Sequence, residues 1–281
     1  DIAQLPGISW YSEQVGLATF DVIVTRLQRN GQFEGQYYYI NKFQREWREA
    51  KGYADGELYE NMYEVISGAS NNSRIFTYKD EVLNVLTDKN SQQYTDFILD
   101  TMDVPKTITY MVGVGAIRGG DHDMNSNVLQ YYSKDRERWS PLLWDQGGIA
   151  GSIVGLSPAD GRSSNRDSCW MFCAVYDQSS LRPLYLRRFR TIVDKMYASD
   201  ALENKFVEIQ NAHQALFDLD KAKWPTRYMF GDIDNLVSSI RANKKLLLNY
   251  ISGFGWMLPP SQSNADRQAV SFDDIHPDAD N

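Results

Sequence analysis

From Leu181 to Ile251 the apolar side chains recur at helical spacing throughout. Leu184, Leu186, Phe189, Ile192, Val193 and Met196 mark one helix; Phe206, Ile209, Leu216 and Phe217 mark a second; Ile233, Leu236, Val237, Ile240, Leu246 and Leu247 mark a third. The strand signals all lie earlier in the chain. A small β-containing part followed by a larger helical part is an α+β arrangement, and no internal repeat is present.

Two hairpins carry the strand signal. Phe20 to Leu27 is rich in β-branched residues, Asn30-Gly31 is a tight-turn dipeptide, and Phe33 to Asn41 is the return strand. Asn127 to Tyr132 and Trp139 to Trp144 form the second pair, joined by the charged turn Ser133 to Arg138. Ile8 to Leu17 and Lys42 to Ala50 precede and follow the first hairpin as short helices. Asp55 to Glu60 reads as a turn and short strand, and Ser67 to Ser73 as a polar loop. Helical spacing returns at Glu81 to Leu86 and Gln93 to Met102, and Lys106 to Ile117 is apolar enough for a buried helix, against the preference of Gly113 and Gly115. Ile149 to Arg166 reads as a Gly/Ser-rich loop and Pro259 to Asn281 as an extended polar tail.

The chemistry concentrates after the buried helix. Gly119-Gly-Asp-His-Asp-Met-Asn-Ser-Asn127 packs carboxylates and carboxamides into one turn, and the second hairpin ends on Asp145 followed by Gly147 and Gly148. Hard oxygen donors of this kind hold a divalent cation and position a nucleophile in phosphoryl transfer. Protein kinases place a catalytic Asp and a metal-binding Asn on one loop, then a metal-binding Asp after a hairpin. Asp123, Asn127 and Asp145 stand in that order. A turn that caps its own backbone accounts for the same residues. So does an irregular Ca²⁺ site, since Asp121, Asp123, Asn125 and Asn127 alternate; a regular EF-hand is excluded because Tyr132 occupies the twelfth position from Asp121, where Glu is required.

Composition narrows the classes. A net charge of −8 disfavours nucleic acid and anionic membranes as partners. No apolar run reaches the ~18 residues of a membrane span. Three histidines and two cysteines make a zinc enzyme a poor fit. Cys169 and Cys173 fall one helical turn apart; a disulfide is open to them, and two buried small apolar residues is the preferred reading. The chain opens at Asp1, so its start carries no information on export.

The order Asp-x-x-x-Asn, a Tyr-rich strand, a short charged turn and Trp139-Ser-Pro-Leu-Leu-Trp-Asp145 resembles the spore coat protein H (CotH) kinase family. That family's motif runs roughly Asp-x-x-x-Asn-Asn-Tyr-x-Leu-Tyr, then Trp-x-x-x-Pro-Trp-Asp-x-Asp-x-x-Phe-Gly. Asn30-Gly31 with Gly35 and Tyr37 to Tyr39 resembles its Asn-Gly-x-x-x-Gly-x-Tyr hairpin, and Gly56-Glu-Leu-Tyr59 its Gly-x-Leu-Tyr. Arg182-Pro-Leu184 and the helices to Ile251 are similar to its C-terminal lobe, so the resemblance covers roughly residues 8 to 252.

The resemblance implies a protein-kinase-like two-lobe fold. Residues 1–103 would form an incomplete small β lobe and 104–258 a larger, mainly helical lobe, with 259–281 as a tail. The family's more N-terminal segment has no counterpart here, so the chain is expected to begin part-way through the small lobe. The resemblance further implies ATP and Mg²⁺, with Ca²⁺ or Mn²⁺ as alternatives, and transfer to Ser or Thr of a coat or surface protein outside the cell. Asp123 would be the catalytic residue, and Asn127 and Asp145 metal ligands; Asp121 and Asn125 take over if the register shifts by two.

Three departures bear on activity. Gly147 stands where the family has its second Asp, Asn41 where its first hairpin ends in an acid, and Glu60 where a Lys follows Leu-Tyr. They make a catalytically impaired relative, serving as a structural or interaction module of a surface assembly, the alternative expectation.

Overall fold

A computed structural model describes residues 3–41, 43, 45–85, 91–117, 127–144, 166–228 and 233–252. The order opens with helix α1 (Gln4–Gln14), strands β1 (Val22–Arg29) and β2 (Gln32–Ile40), and helix α2 (Arg45–Ala50). Strands β3 (Glu57–Glu60) and β4 (Glu64–Ser67) follow, then helices α3 (Ser73–Val85), α4 (Gln92–Thr101) and α5 (Val104–Ile117). After β5 (Val128–Ser133) and β6 (Arg138–Leu143) the described chain is helical: α6 (Arg166–Asp177), α7 (Arg182–Val193), a π-helical turn at Asp194–Ala198, α8 (Ala201–Ala212), α9 (Gln214–Lys223) and α10 (Ile233–Ser252). The fold is α+β with two small sheets, β1-β2 and β4-β3-β5-β6.

The first hairpin forms where its dipeptide requires. Asn30 and Gly31 both take left-handed φ, 53° and 79°, the geometry that lets a two-residue turn follow the strand twist. Its β2 edge is fastened by α9. The Gln36 N–H donates to Asp220 Oδ1 at 2.6 Å, Trp224 Nε1 donates to the Glu34 carbonyl at 2.9 Å, and Lys223 donates to the Phe33 carbonyl. One face of this two-stranded sheet leaves Ile23, Leu27, Tyr37 and Tyr39 exposed.

The four-stranded sheet is covered on both faces, and strand alternation decides what goes where. Tyr59, Val128, Trp139 and Leu143 turn into the main apolar cluster, which α1, α3 to α8 and α10 also build. Leu58, Leu129, Tyr131 and Leu142 turn the other way, onto Phe20, Phe43, Trp47 and Tyr53. That second cluster is aromatic: Phe43 meets Trp47 edge-on at 4.5 Å, and Trp47 stacks on Tyr53 at 5.7 Å.

Helix α5 is the axis of the main cluster, with every residue buried except Lys106. Asp103 starts it: its N–H donates to the Trp139 carbonyl at 2.8 Å, and its Oδ1 accepts from the Lys106 N–H at 3.1 Å. Gly113 is tolerated in mid-helix because a Cβ there would sit 2.7 Å from Leu17 Cδ1. The glycine trades helix propensity for close packing against the chain that follows α1.

Four sequence expectations change. The single helix expected from Phe206 to Phe217 is two, broken at His213 (φ −115°, ψ 11°), so Asp220 can reach the β2 edge. Cys169 and Cys173, expected as buried thiols, are joined in a disulfide within α6, with Cα atoms 5.4 Å apart. The polar loop expected from Ser67 to Ser73 is shortened at its ends, where Ser67 belongs to β4, paired to β3, and Ser73 to α3. Of the loop expected from Ile149 to Arg166, Arg166 instead opens α6; the rest, and the tail expected at 259–281, lie outside the described residues.

Candidate functional site

The β5–β6 hairpin has a regular register, from Ser133↔Arg138 at its turn to Val128↔Leu143 at its open end. Asn127, one residue before β5, and Trp144, one after β6, therefore emerge at the same end. Asn127 takes a left-handed φ of 57°, which an Asn tolerates better than most side chains. Trp144 is held edge-on by Phe43 at 5.3 Å and Phe20 at 6.0 Å.

Strand β3 brings a third group to this end. Glu60 lies opposite Leu129, and the Asn61 N–H donates to the Val128 carbonyl at 3.2 Å. The turn after Glu60 places Asn61 and Met62 both at positive φ, 51° and 66°. A Met in that conformation costs about 1 kcal/mol. Packing holds it there: Met62 is fully buried, its N–H donates to Gln130 Oε1 at 3.2 Å, and its sulfur accepts from Trp170 Nε1 at 3.3 Å. The strained turn thus fixes the end of β3 against the start of β5.

Of the expected site residues, Asn127 is described; Asp121, Asp123, Asn125 and Asp145 lie outside the described residues, as do His122 and Gly147. Asn127 and Trp144 emerge at the same hairpin end, with Glu60 on the neighbouring strand. No group of three His, Cys, Asp or Glu able to hold a metal occurs among the described residues. Asn127 offers a carboxamide oxygen, a hard donor compatible with Mg²⁺.

A different cluster occupies the turn end of the same hairpin, about 17 Å away at ~3.4 Å per residue. There a cleft of about 620 Å³ is lined by Glu57, Tyr59, Asn71, Arg74, Tyr78 and Trp139, among others. Glu57 is buried, and its Oε2 accepts from Tyr59 Oη at 2.6 Å and pairs with Arg74 Nε at 2.9 Å. The Arg74 guanidinium lies over the Tyr132 ring at 4.6 Å, and Tyr78 stacks on Trp139 at 5.1 Å. Burial raises the Tyr59 phenol above its ordinary pKa, and the hydrogen bond to Glu57 adds to that. The arrangement gives the buried carboxylate two partners, a phenol and a guanidinium. Sequence reasoning missed it because β3, α3, β5 and β6 each supply one or two residues with no local spacing to detect.

A comparison with curated proteins finds no match. The sequence model described as "CotH kinase protein" matches residues 13–252, which takes in both hairpins, the polar turn, Asp145 and the helices to the end of α10. The chain belongs to the CotH kinase family.

Proposed function

We propose that this chain is a kinase-type domain that transfers the γ-phosphate of ATP to Ser or Thr of a surface or coat protein. Asp123 positions the acceptor hydroxyl, and Asn127 and Asp145 hold Mg²⁺, with Asp121 as the neighbouring ligand. The metal, or Ca²⁺ or Mn²⁺ in its place, would supply charge neutralisation on the transferred phosphate. The observation that carries this reading is the pairing of Val128 with Leu143, which brings Asn127 to the same hairpin end as Trp144, the residue before Asp145. Residues 1–103 are assigned to a small lobe and 104–258 to a larger one, sharing the sheet in which β3 pairs with β5. The disulfide in α6 favours an oxidising compartment, in line with a location outside the cell. No helix among the described residues is long and apolar enough to cross a membrane.

Glu60 favours a second reading, a catalytically impaired domain acting as an interaction module. At the position where the family carries a lysine after Leu-Tyr, this chain sets a carboxylate one strand away from Leu129, near Asn127. A carboxylate there repels nucleotide phosphate rather than pairing with it.

The two readings separate on incubation with Mg²⁺, γ-labelled ATP and a Ser/Thr-rich acceptor peptide. The first predicts label transfer that falls about 100-fold or more in Asp123→Ala, with nucleotide binding retained. Transfer undiminished in Asp123→Ala removes that residue from its role. No transfer in the unmodified chain, together with no nucleotide binding, selects the second reading.

A further inference from the structure

Strand β1 has a strand partner on one side. The Asp21 carbonyl accepts from the Asn41 N–H at 3.2 Å, and the register continues with Ile23 opposite Tyr39, Thr25 opposite Tyr37 and Leu27 opposite Gly35. Backbone groups of successive residues in an antiparallel strand point to opposite sides. The odd-numbered residues therefore face β2. The N–H and C=O groups of Val22, Val24, Arg26 and Gln28 face the other way, where no further strand pairs among the described residues. The irregularity at Leu27/Gln28 puts its extra residue, Glu34, on β2, so β1 itself stays regular. An eight-residue edge without Pro or Lys is a template for another strand.

The sequence of β1 is complementary to itself. Two copies laid antiparallel about Thr25 set Ile23 opposite Leu27, Val24 opposite Arg26, Val22 opposite Gln28 and Asp21 opposite Arg29. Ile23 and Leu27 are exposed in the single copy, and each gains an apolar cross-strand neighbour. Asp21 and Arg29 carry opposite charges on side chains 54% and 77% exposed; Asp21 lies 3.9 Å from Lys51 and Arg29 is 2.9 Å from Glu34. Neighbouring registers lose this match. Centred on Arg26, two guanidinium groups face each other; centred on Val24, Leu27 faces the Asp21 carboxylate.

We propose that a second copy of this chain pairs along β1, giving a four-stranded sheet β2-β1-β1-β2 about a two-fold axis at Thr25. Val24 and Arg26 exchange backbone hydrogen bonds across the axis. Thr25 faces Thr25 in a non-hydrogen-bonded pair, with Cα atoms about 4.5 Å apart. The exposed faces carrying Ile23, Leu27, Tyr37 and Tyr39 join into one. A single strand edge is small beside the ~800 Å² per partner of a standard interface, so the dimer is concentration-dependent. The surface is separate from the phosphotransfer reading and stands or falls without it.

Sedimentation equilibrium of the 281-residue chain from about 1 to 200 µM reads the association. Dimer is expected at the upper end. Ile23→Lys and Leu27→Lys, both at exposed positions, are expected to stay monomeric while keeping the melting temperature of the dilute unmodified chain. Arg29→Asp should raise Kd about tenfold or more, and Asp21→Arg/Arg29→Asp should bring it back. Cross-linking under a mild thiol oxidant reads the register, with the two native cysteines already bonded to each other. Thr25→Cys should join to its own copy, Leu27→Cys should not, and Leu27→Cys mixed with Ile23→Cys should. A chain that is monomeric throughout the range, a dimer indifferent to Ile23→Lys and Leu27→Lys, or Leu27→Cys joining to itself as readily as Thr25→Cys, overturns the proposal.

Discussion

Asn127 and Glu60 are the two described residues on which the functional account turns. Asn127 has left-handed backbone at the head of β5, and Glu60 ends the strand beside it. On the proposed function, the charge at Glu60, where the resemblance expects a lysine, acts on phosphate binding. Replacing a carboxylate with an ammonium near a triphosphate changes the interaction by two unit charges, and solvent leaves only a fraction of it. Glu60→Lys is expected to tighten Mg·ATP at least tenfold, or ~1.4 kcal/mol, read by titration calorimetry; unchanged affinity would place Glu60 away from the phosphates. At this scale the sequence was uneven as a guide. Asn30-Gly31 announces its left-handed turn by composition, whereas Met62 adopts the same geometry because Gln130 and Trp170 hold it. That is tertiary context, and no local rule reports it.

Elements with strong period were legible: both hairpins, α5 and the helices after Leu181. Those that failed to register had weak local signals. Strand β4 has four residues and pairs across a turn without Gly, and α6 lies next to a Gly/Ser-rich stretch that masks its period. The β3–β4 hairpin depends on close approach at its ends. Gly68 has φ +79°, and a Cβ there would sit 2.2 Å from the Gly56 carbonyl oxygen; Gly52 has the same φ with nothing near. Backbone strain alone costs about 1 kcal/mol, and a clash with backbone adds at least as much. Gly68→Ala should lower Tm by roughly 4–8 °C and Gly52→Ala by about half of that. Equal losses in a melting comparison would show that the contact with Gly56 does not hold the hairpin.

In the whole molecule, a four-stranded sheet stands between a helical core and an aromatic cluster, with the site residues expected at one end of its β5–β6 hairpin. The α+β class and the order of the motifs were readable from the chain, because hydrophobic period and the Asp123, Asn127, Asp145 sequence survive without tertiary information. The fastening of β2 by α9 was not, since Gln36 and Asp220 are far apart in sequence. Glu57 and Arg74 were missed because they sit on β3 and α3, which meet only through tertiary packing.

The central claim is that this fold binds Mg·ATP at the open end of the β5–β6 hairpin. A ligand that binds only the folded state stabilises it by roughly 2.7 kcal/mol when present at 100 Kd. For a chain of this size that is a rise in Tm of roughly 5–10 °C. A thermal-shift titration with ATP, with and without Mg²⁺, should therefore show a saturable, metal-dependent rise that Asp145→Ala removes. A melting temperature indifferent to ATP and Mg²⁺ at millimolar concentration would contradict the account.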